Sequence, residues 1–183
     1  MRQIRNGVFE TNSSSVHSIC IQKDKNITLP NSIYFHIGEY GWEFDCVDTA
    51  SYLYTAILST YDKDEAEEKI KQIKTVLDKH SISYDFEEPV YHNSEYGSWL
   101  NNGYVDHDYC ARDFIDAVLN DEDLLLRCLF GAASCVYTGN DNSAEQDDMC
   151  YCADETVWDD EKCELVSNPN HVPNKYDYFY KGN

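Results

Sequence analysis

Residues 8–20 read VFETNSSSVHSIC, so that Glu10, Asn12, Ser13, Ser14, Ser15 and His17 crowd between two apolar ends. A serine hydroxyl near a histidine is the raw material of acyl transfer, which also needs donors for the developing oxyanion. Neither a Gly-x-Ser-x-Gly elbow nor a Ser-x-x-Lys pair surrounds these serines. Three hydroxyls in a row could also cradle a phosphate, yet no helix pattern starts there. Ser, Thr and Asn side chains bond readily to nearby main-chain groups, so a turn that fixes an N-terminal strand is the expected role.

Metal chemistry has two further sources. The runs Val105-Asp106-His107-Asp108 and Gly139-Asn140-Asp141-Asn142 carry oxygen and imidazole donors. Joined in space to the opening run, Glu10, Asn12, His17, Asp106, His107 and Asp141 could hold a divalent ion and activate water, as a small metal-dependent hydrolase or nuclease requires. Asp141, Ser143, Glu145 and Asp147 alternate like a calcium loop, but Gln146 stands where that loop needs glycine. Cys150, Cys152, Cys163 and His171 could supply the four ligands of zinc, although a one-residue spacer is not the usual knuckle. No cofactor is therefore expected, and Cys128 and Cys135 read as buried thiols.

Charge is the strongest compositional signal. The chain of 183 residues has a formal net charge of −20. Residues 1–80 hold 12 Asp+Glu against 9 Lys+Arg, whereas residues 81–164 hold 21 against 3. Such a balance opposes binding to nucleic acid or an anionic membrane and favours a basic protein partner. The excess gathers in Asp121, Glu122, Asp123, Asp147, Asp148, Asp154, Glu155, Asp159, Asp160 and Glu161, with Tyr151 and Trp158 among them as apolar anchors. Duplex DNA places a negative charge about every 1.7 Å along its axis, and a folded surface of comparable density can enter a basic channel as a decoy. An acidic protein of structural or packing role is the third reading.

These groups must be positioned by a fold, and 42% hydrophobic residues with 15 tyrosines are enough to build one. Residues 18–22 and 33–37 are β-prone runs, read as a hairpin or as two sheet strands. Residues 48–61 read as an apolar core helix. Asp62-x-x-Glu65 has the form of a capping box, followed by Ala66, Ile70, Ile73 and Leu77 at helical spacing up to His80. The outer face of that helix offers the pairs Glu65/Lys69 and Glu67/Lys71. Residues 82–92 are extended, 95–102 form a short helix closed by Gly103, and 110–120 form another helix. Asp121-Glu122-Asp123 opens a helix that ends at Gly131; a strand over 134–138 then runs into a turn at 139–142. The expected class is α+β in one domain over 1–183, with a variable acidic, cysteine-rich tail from about 145. The opening MRQIRNGVFE lacks an apolar h-region and no apolar run approaches membrane-spanning length, so a cytoplasmic protein with reduced thiols is expected.

Arg5-Asn6-Gly7-Val8-Phe9-Glu10-Thr11-Asn12-Ser13-Ser14-Ser15-Val16-His17-Ser18 resembles the N-terminal signature of a family of small phage and prophage proteins. Val105-Asp106-His107, and the stretch from Leu124 through Leu129-Phe130-Gly131 to Gly139-Asn140-Asp141-Asn142, resemble the later blocks of that family. Some of its members resemble type II anti-CRISPR proteins. The resemblance implies a non-enzymatic inhibitor in the host bacterial cytoplasm whose partner is the type II RNA-guided nuclease, with or without its guide. Such a nuclease holds its heteroduplex in a positively charged channel and reads the PAM with arginines, where carboxylates would compete with DNA. Asp108-Tyr109 departs from the smaller polar pair of the family, and the acidic tail lies outside the match.

Overall fold

The computed structural model describes residues 15–41, 45–94, 97–106, 111–140, 156–159, 162–167 and 176–181. Chain order is β1 (Ser15–Gln22), β2 (Ser32–Phe35), β3 (Glu39–Tyr40), β4 (Asp45–Val47), α1 (Thr49–Thr60), α2 (Lys63–Lys79), β5 (Ser83–Phe86), β6 (Tyr91–Ser94) and β7 (Gly97–Leu100). It continues through β8 (Tyr104–Val105), α3 (Arg112–Asn120), α4 (Glu122–Phe130), β9 (Cys135–Asn140), β10 (Thr156–Asp159), β11 (Glu164–Ser167) and β12 (Tyr176–Lys181). This is an α+β fold.

β1 lies inside an antiparallel sheet of order β12-β1-β9-β4. Ile19 faces Val136 on one neighbour and Phe179 on the other. Residues 17–22 are buried without alternation, as a strand covered on both faces requires. Beside the sheet, α1 starts where the Asp48 carboxylate accepts from the Ser51 N–H at 2.7 Å. All its residues from Thr49 to Leu58 are buried, because neighbours surround it on every side. Tyr52 packs against His17, Tyr40 and Phe114, while Tyr54 packs against Phe35 and Phe86.

α2 is amphipathic. Asp62 accepts from Glu65 N–H at 3.0 Å, and Ala66, Ile73 and Leu77 are buried. The helix ends with Ser81 at φ 57°, its N–H donating to Asp78 O and that of Ile82 to Leu77 O. That is a Schellman closure with serine where glycine is usual. On its outer face Lys69 reaches Asp116 of α3 at 2.6 Å and Lys71 approaches Glu68, while Lys63 approaches Glu67. The expected pairs with Glu65 and Glu67 are displaced, since a cross-helix partner is available to Lys69.

The first two β-prone runs are strands of separate sheets, the second of the two readings: β2 pairs in parallel with β5, so α1 and α2 serve as the crossover that a parallel pair needs. Two other expectations are corrected. Residues 97–100 are a strand, not a helix. Tyr91 and Leu100 form one cross-strand pair and His92 and Trp99 the next, which turns Leu100 into the core and Trp99 out. β3 and β8 are also parallel, and Gly103 permits their approach: a Cβ there would meet the Ile37 side chain and lie 2.6 Å from Gly38 O. Gly139 and Asn140 belong to β9 rather than to a turn, pairing with Val16 and Ser15.

Candidate partner-binding surface

The first turn of α4 holds three of the acids singled out by the sequence. Asp121 is its N-cap, accepting from the N–H groups of Asp123 and Leu124 at 2.9 and 3.1 Å. Glu122 accepts from Lys79 Nζ at 2.7 Å and from His80 Nε2 at 3.0 Å. Hydrogen bonds from Lys79 and then His80 hold its carboxyl below the usual range. Asp123 accepts from Arg127 Nε at 3.0 Å and lies 3.2 Å from Lys25 Nζ. Burial pushes the Asp123 carboxyl up, but hydrogen bonds from Lys25 and Arg127 outweigh it and leave the group below its ordinary value. The side chain of Arg127 is buried and also donates to Gln22 O at 2.7 Å. Asp121 thus spends its carboxylate on the helix cap, while Lys79 pairs with Glu122 and Lys25 and Arg127 pair with Asp123.

Asp159 closes β10. Its carboxylate accepts from Lys162 N–H at 3.1 Å and from Lys162 Nζ at 2.7 Å, tying the connection to β11. Trp158 sits in β10 opposite Leu165. Asp147, Asp148, Tyr151, Asp154, Glu155, Asp160 and Glu161 lie outside the described residues.

Of the residues a hydrolase would use, His17 and Asp106 are described, and Glu10, Asn12, His107 and Asp141 lie outside. His17 is fully buried. Its Nε2 donates to Gly41 O at 3.1 Å, and in the neutral ring Nδ1 accepts from the Tyr52 hydroxyl at 2.7 Å. Both ring nitrogens are therefore engaged with the core. Asp106 follows β8, and its N–H donates to Tyr40 O at 2.7 Å, so the two residues are anchored to neighbouring carbonyls. Of the zinc candidates only Cys163 is described, exposed at φ 53° in the β10–β11 connection; Cys150, Cys152 and His171 lie outside. Among the described residues no group of three or more His, Cys, Asp or Glu could hold a metal ion. Cys128 is buried as expected, and burial pushes its thiol up to about 12, while Cys135 is only half-buried.

Two features escaped the sequence reading. A cavity of about 590 Å³ opens between α2 and the β5–β6 connection, lined by Tyr54, Phe86 and Tyr91 and by both signs of charge, Lys63, Lys71 and Lys74 with Glu67, Glu68, Glu87 and Glu88. On the β6–β7 pair, Val90 and Trp99 are half exposed, and the His92 ring lies 4.5 Å from that of Trp99, tilted by 39°. The signal for the second was countable: residues 81–111 contain no Lys or Arg. No family model matches this chain, and searches of curated proteins and of solved structures give no match. No helix among the described residues is long and apolar enough to cross a membrane.

Proposed function

We propose that this chain is a non-enzymatic inhibitor of phage or prophage origin that binds a type II RNA-guided nuclease and occupies its basic nucleic-acid channel. The observation that carries this reading is the charge of residues 141–161, which include nine Asp+Glu and no Lys or Arg. Glu122 and Asp123 differ, since cations of the same chain already pair with them. They supply a helix terminus, and the run of acids without Lys or Arg follows β9 in the sequence. The resemblance of residues 5–18 and of the later blocks to a phage family names the nuclease as the basic partner.

The test is capture of the guide-loaded nuclease by the tagged full chain, with DNA cleavage assayed in parallel. The parent chain captures the nuclease, suppresses cleavage and loses most of its grip as NaCl rises from about 0.1 M to about 1 M, where the screening length falls from about 10 Å to about 3 Å. Changing Asp147, Asp148, Asp154, Glu155, Asp160 and Glu161 to Asn or Gln abolishes both effects. Full inhibition by that variant would sink the proposal, as would failure to capture the nuclease with or without its guide.

A further inference from the structure

We infer that the cavity between α2 and the β5–β6 connection is a binding site for a small zwitterion, an amino acid or short peptide with an aromatic body, held between Lys74 and Glu88. At about 590 Å³ the space falls within the size range of small-molecule sites. Its aromatic side is held in place by the core. Phe86 stacks on Phe35 at 4.4 Å, and Tyr54, set edge-on to Phe86, donates its hydroxyl to Glu87 O at 2.8 Å. Asn102 clamps the facing connection, donating to Glu88 O at 3.2 Å and accepting from Val90 N–H at 2.9 Å. Walls positioned before a ligand arrives lose little to ordering when it binds.

The charged groups of the lining sort by what already engages them. Lys63 lies 4.0 Å from Glu67 and Lys71 lies 3.5 Å from Glu68, pairs formed along α2 itself. Glu87 accepts from Ile37 N–H at 3.0 Å and lies 3.7 Å from His36 Nδ1. Lys74 on the helix wall and Glu88 on the facing connection remain, and among the described residues neither forms an ion pair, with the other or with a third group. Lys74 instead rests its ammonium 5.1 Å over the Phe86 ring. Burial raises the Tyr54 hydroxyl above its ordinary value, and Tyr91 and Glu88 add to the rise, so both act on the same end of that side chain. Unlike charges on facing walls that do not close on each other suit a ligand bearing both signs. Its carboxylate meets Lys74, its ammonium meets Glu88 and the tyrosine rings, and its body lies along Tyr91. A ligand of one sign would satisfy one wall and leave the other unmatched. The site shares no residue with 121–161 and does not require a nuclease partner.

The probes are free phenylalanine and the dipeptide glycyl-phenylalanine, added to the full chain and followed by ligand-observed NMR. Each is compared with its N-acetyl form, which lacks the ammonium, and its amide, which lacks the carboxylate. At least one zwitterion binds with a Kd near or below about 1 mM, the edge of useful affinity, and both of its blocked forms bind several-fold more weakly. Which of the two binds better distinguishes a single amino acid from a peptide. Lys74→Gln weakens the zwitterion several-fold and removes its advantage over the amide, whereas Glu88→Gln removes its advantage over the N-acetyl form. Glu88 is exposed and Lys74 half-buried, so both variants keep the parent melting temperature. No binding of either zwitterion up to about 1 mM would overturn the inference. So would blocked forms that bind as tightly as their parents, or a preference for the zwitterion that survives both substitutions.

Discussion

His17 sits where water does not reach, and its two ring nitrogens serve the Tyr52 hydroxyl and the Gly41 carbonyl. Its role follows from that environment. A buried hydrogen bond that loses one partner costs roughly 1–3 kcal/mol, so His17→Leu is expected to destabilise the fold by about 2–3 kcal/mol, read as a lower urea midpoint. His17→Gln, which can keep one of the two bonds, should recover part of the loss. A solvent-facing catalytic histidine would behave differently, with activity lost and stability kept. Of the three serines read as turn material, Ser15 opens strand β1 instead, and Ser13 and Ser14 lie outside the described residues. The burial of His17 was not legible, because the groups it bonds, the Tyr52 hydroxyl and the Gly41 carbonyl, come from α1 and from the residue after β3.

Among the elements, α4 separates two meanings of an acidic residue. Asp121 caps the helix through its side-chain oxygen, and an N-cap exchanged for alanine loses about 0.5–2 kcal/mol, whereas asparagine caps as well as aspartate. Asp121→Ala should therefore lower the denaturation midpoint while Asp121→Asn leaves it nearly unchanged. Because Asp121→Asn removes a charge and keeps the fold, nuclease capture by that variant reports on charge alone. The starts of α2 and α4 were legible in the sequence because a cap is a local device, written in Asp62-x-x-Glu65 and Asp121. The parallel pairing of β2 with β5 was not, since nothing local encodes a partner across two intervening helices. Residues 97–100 misled for a related reason: Trp99 and Leu100 point to opposite sides of a strand whose partner, β6, had been read only as extended chain. The counter-ions of Glu122 and Asp123 were hidden likewise, because Lys25 and Lys79 meet α4 only after folding.

At the scale of the whole molecule two electrostatic effects oppose one another. Asp116, Glu122 and Asp123 are held below their ordinary values by partners, Lys69 first among those of Asp116. The unfolded chain takes up these protons at higher pH than the native one. Their contribution is thus complete above about pH 4.5, the upper of the two ordinary carboxyl values, and is lost as pH falls through the lower native values. Against this stands the net charge of −20, whose self-repulsion is strongest at neutral pH. Raising ionic strength from about 0.01 M to about 0.1 M shortens the screening length from about 30 Å to about 10 Å, which weakens the many repulsions more than the few close pairs. At pH 7 the melting temperature should rise by a few degrees with salt, roughly 2–4 °C for each kcal/mol of relief in a chain of this size. As pH falls toward the carboxyl range the net negative charge shrinks and the repulsion with it, so added salt should raise the melting temperature less than it does at pH 7. A nucleic-acid decoy needs carboxylates close enough to repel one another. A melting temperature indifferent to salt at pH 7 would place them too far apart for that work, and the nuclease proposal would lose its physical basis.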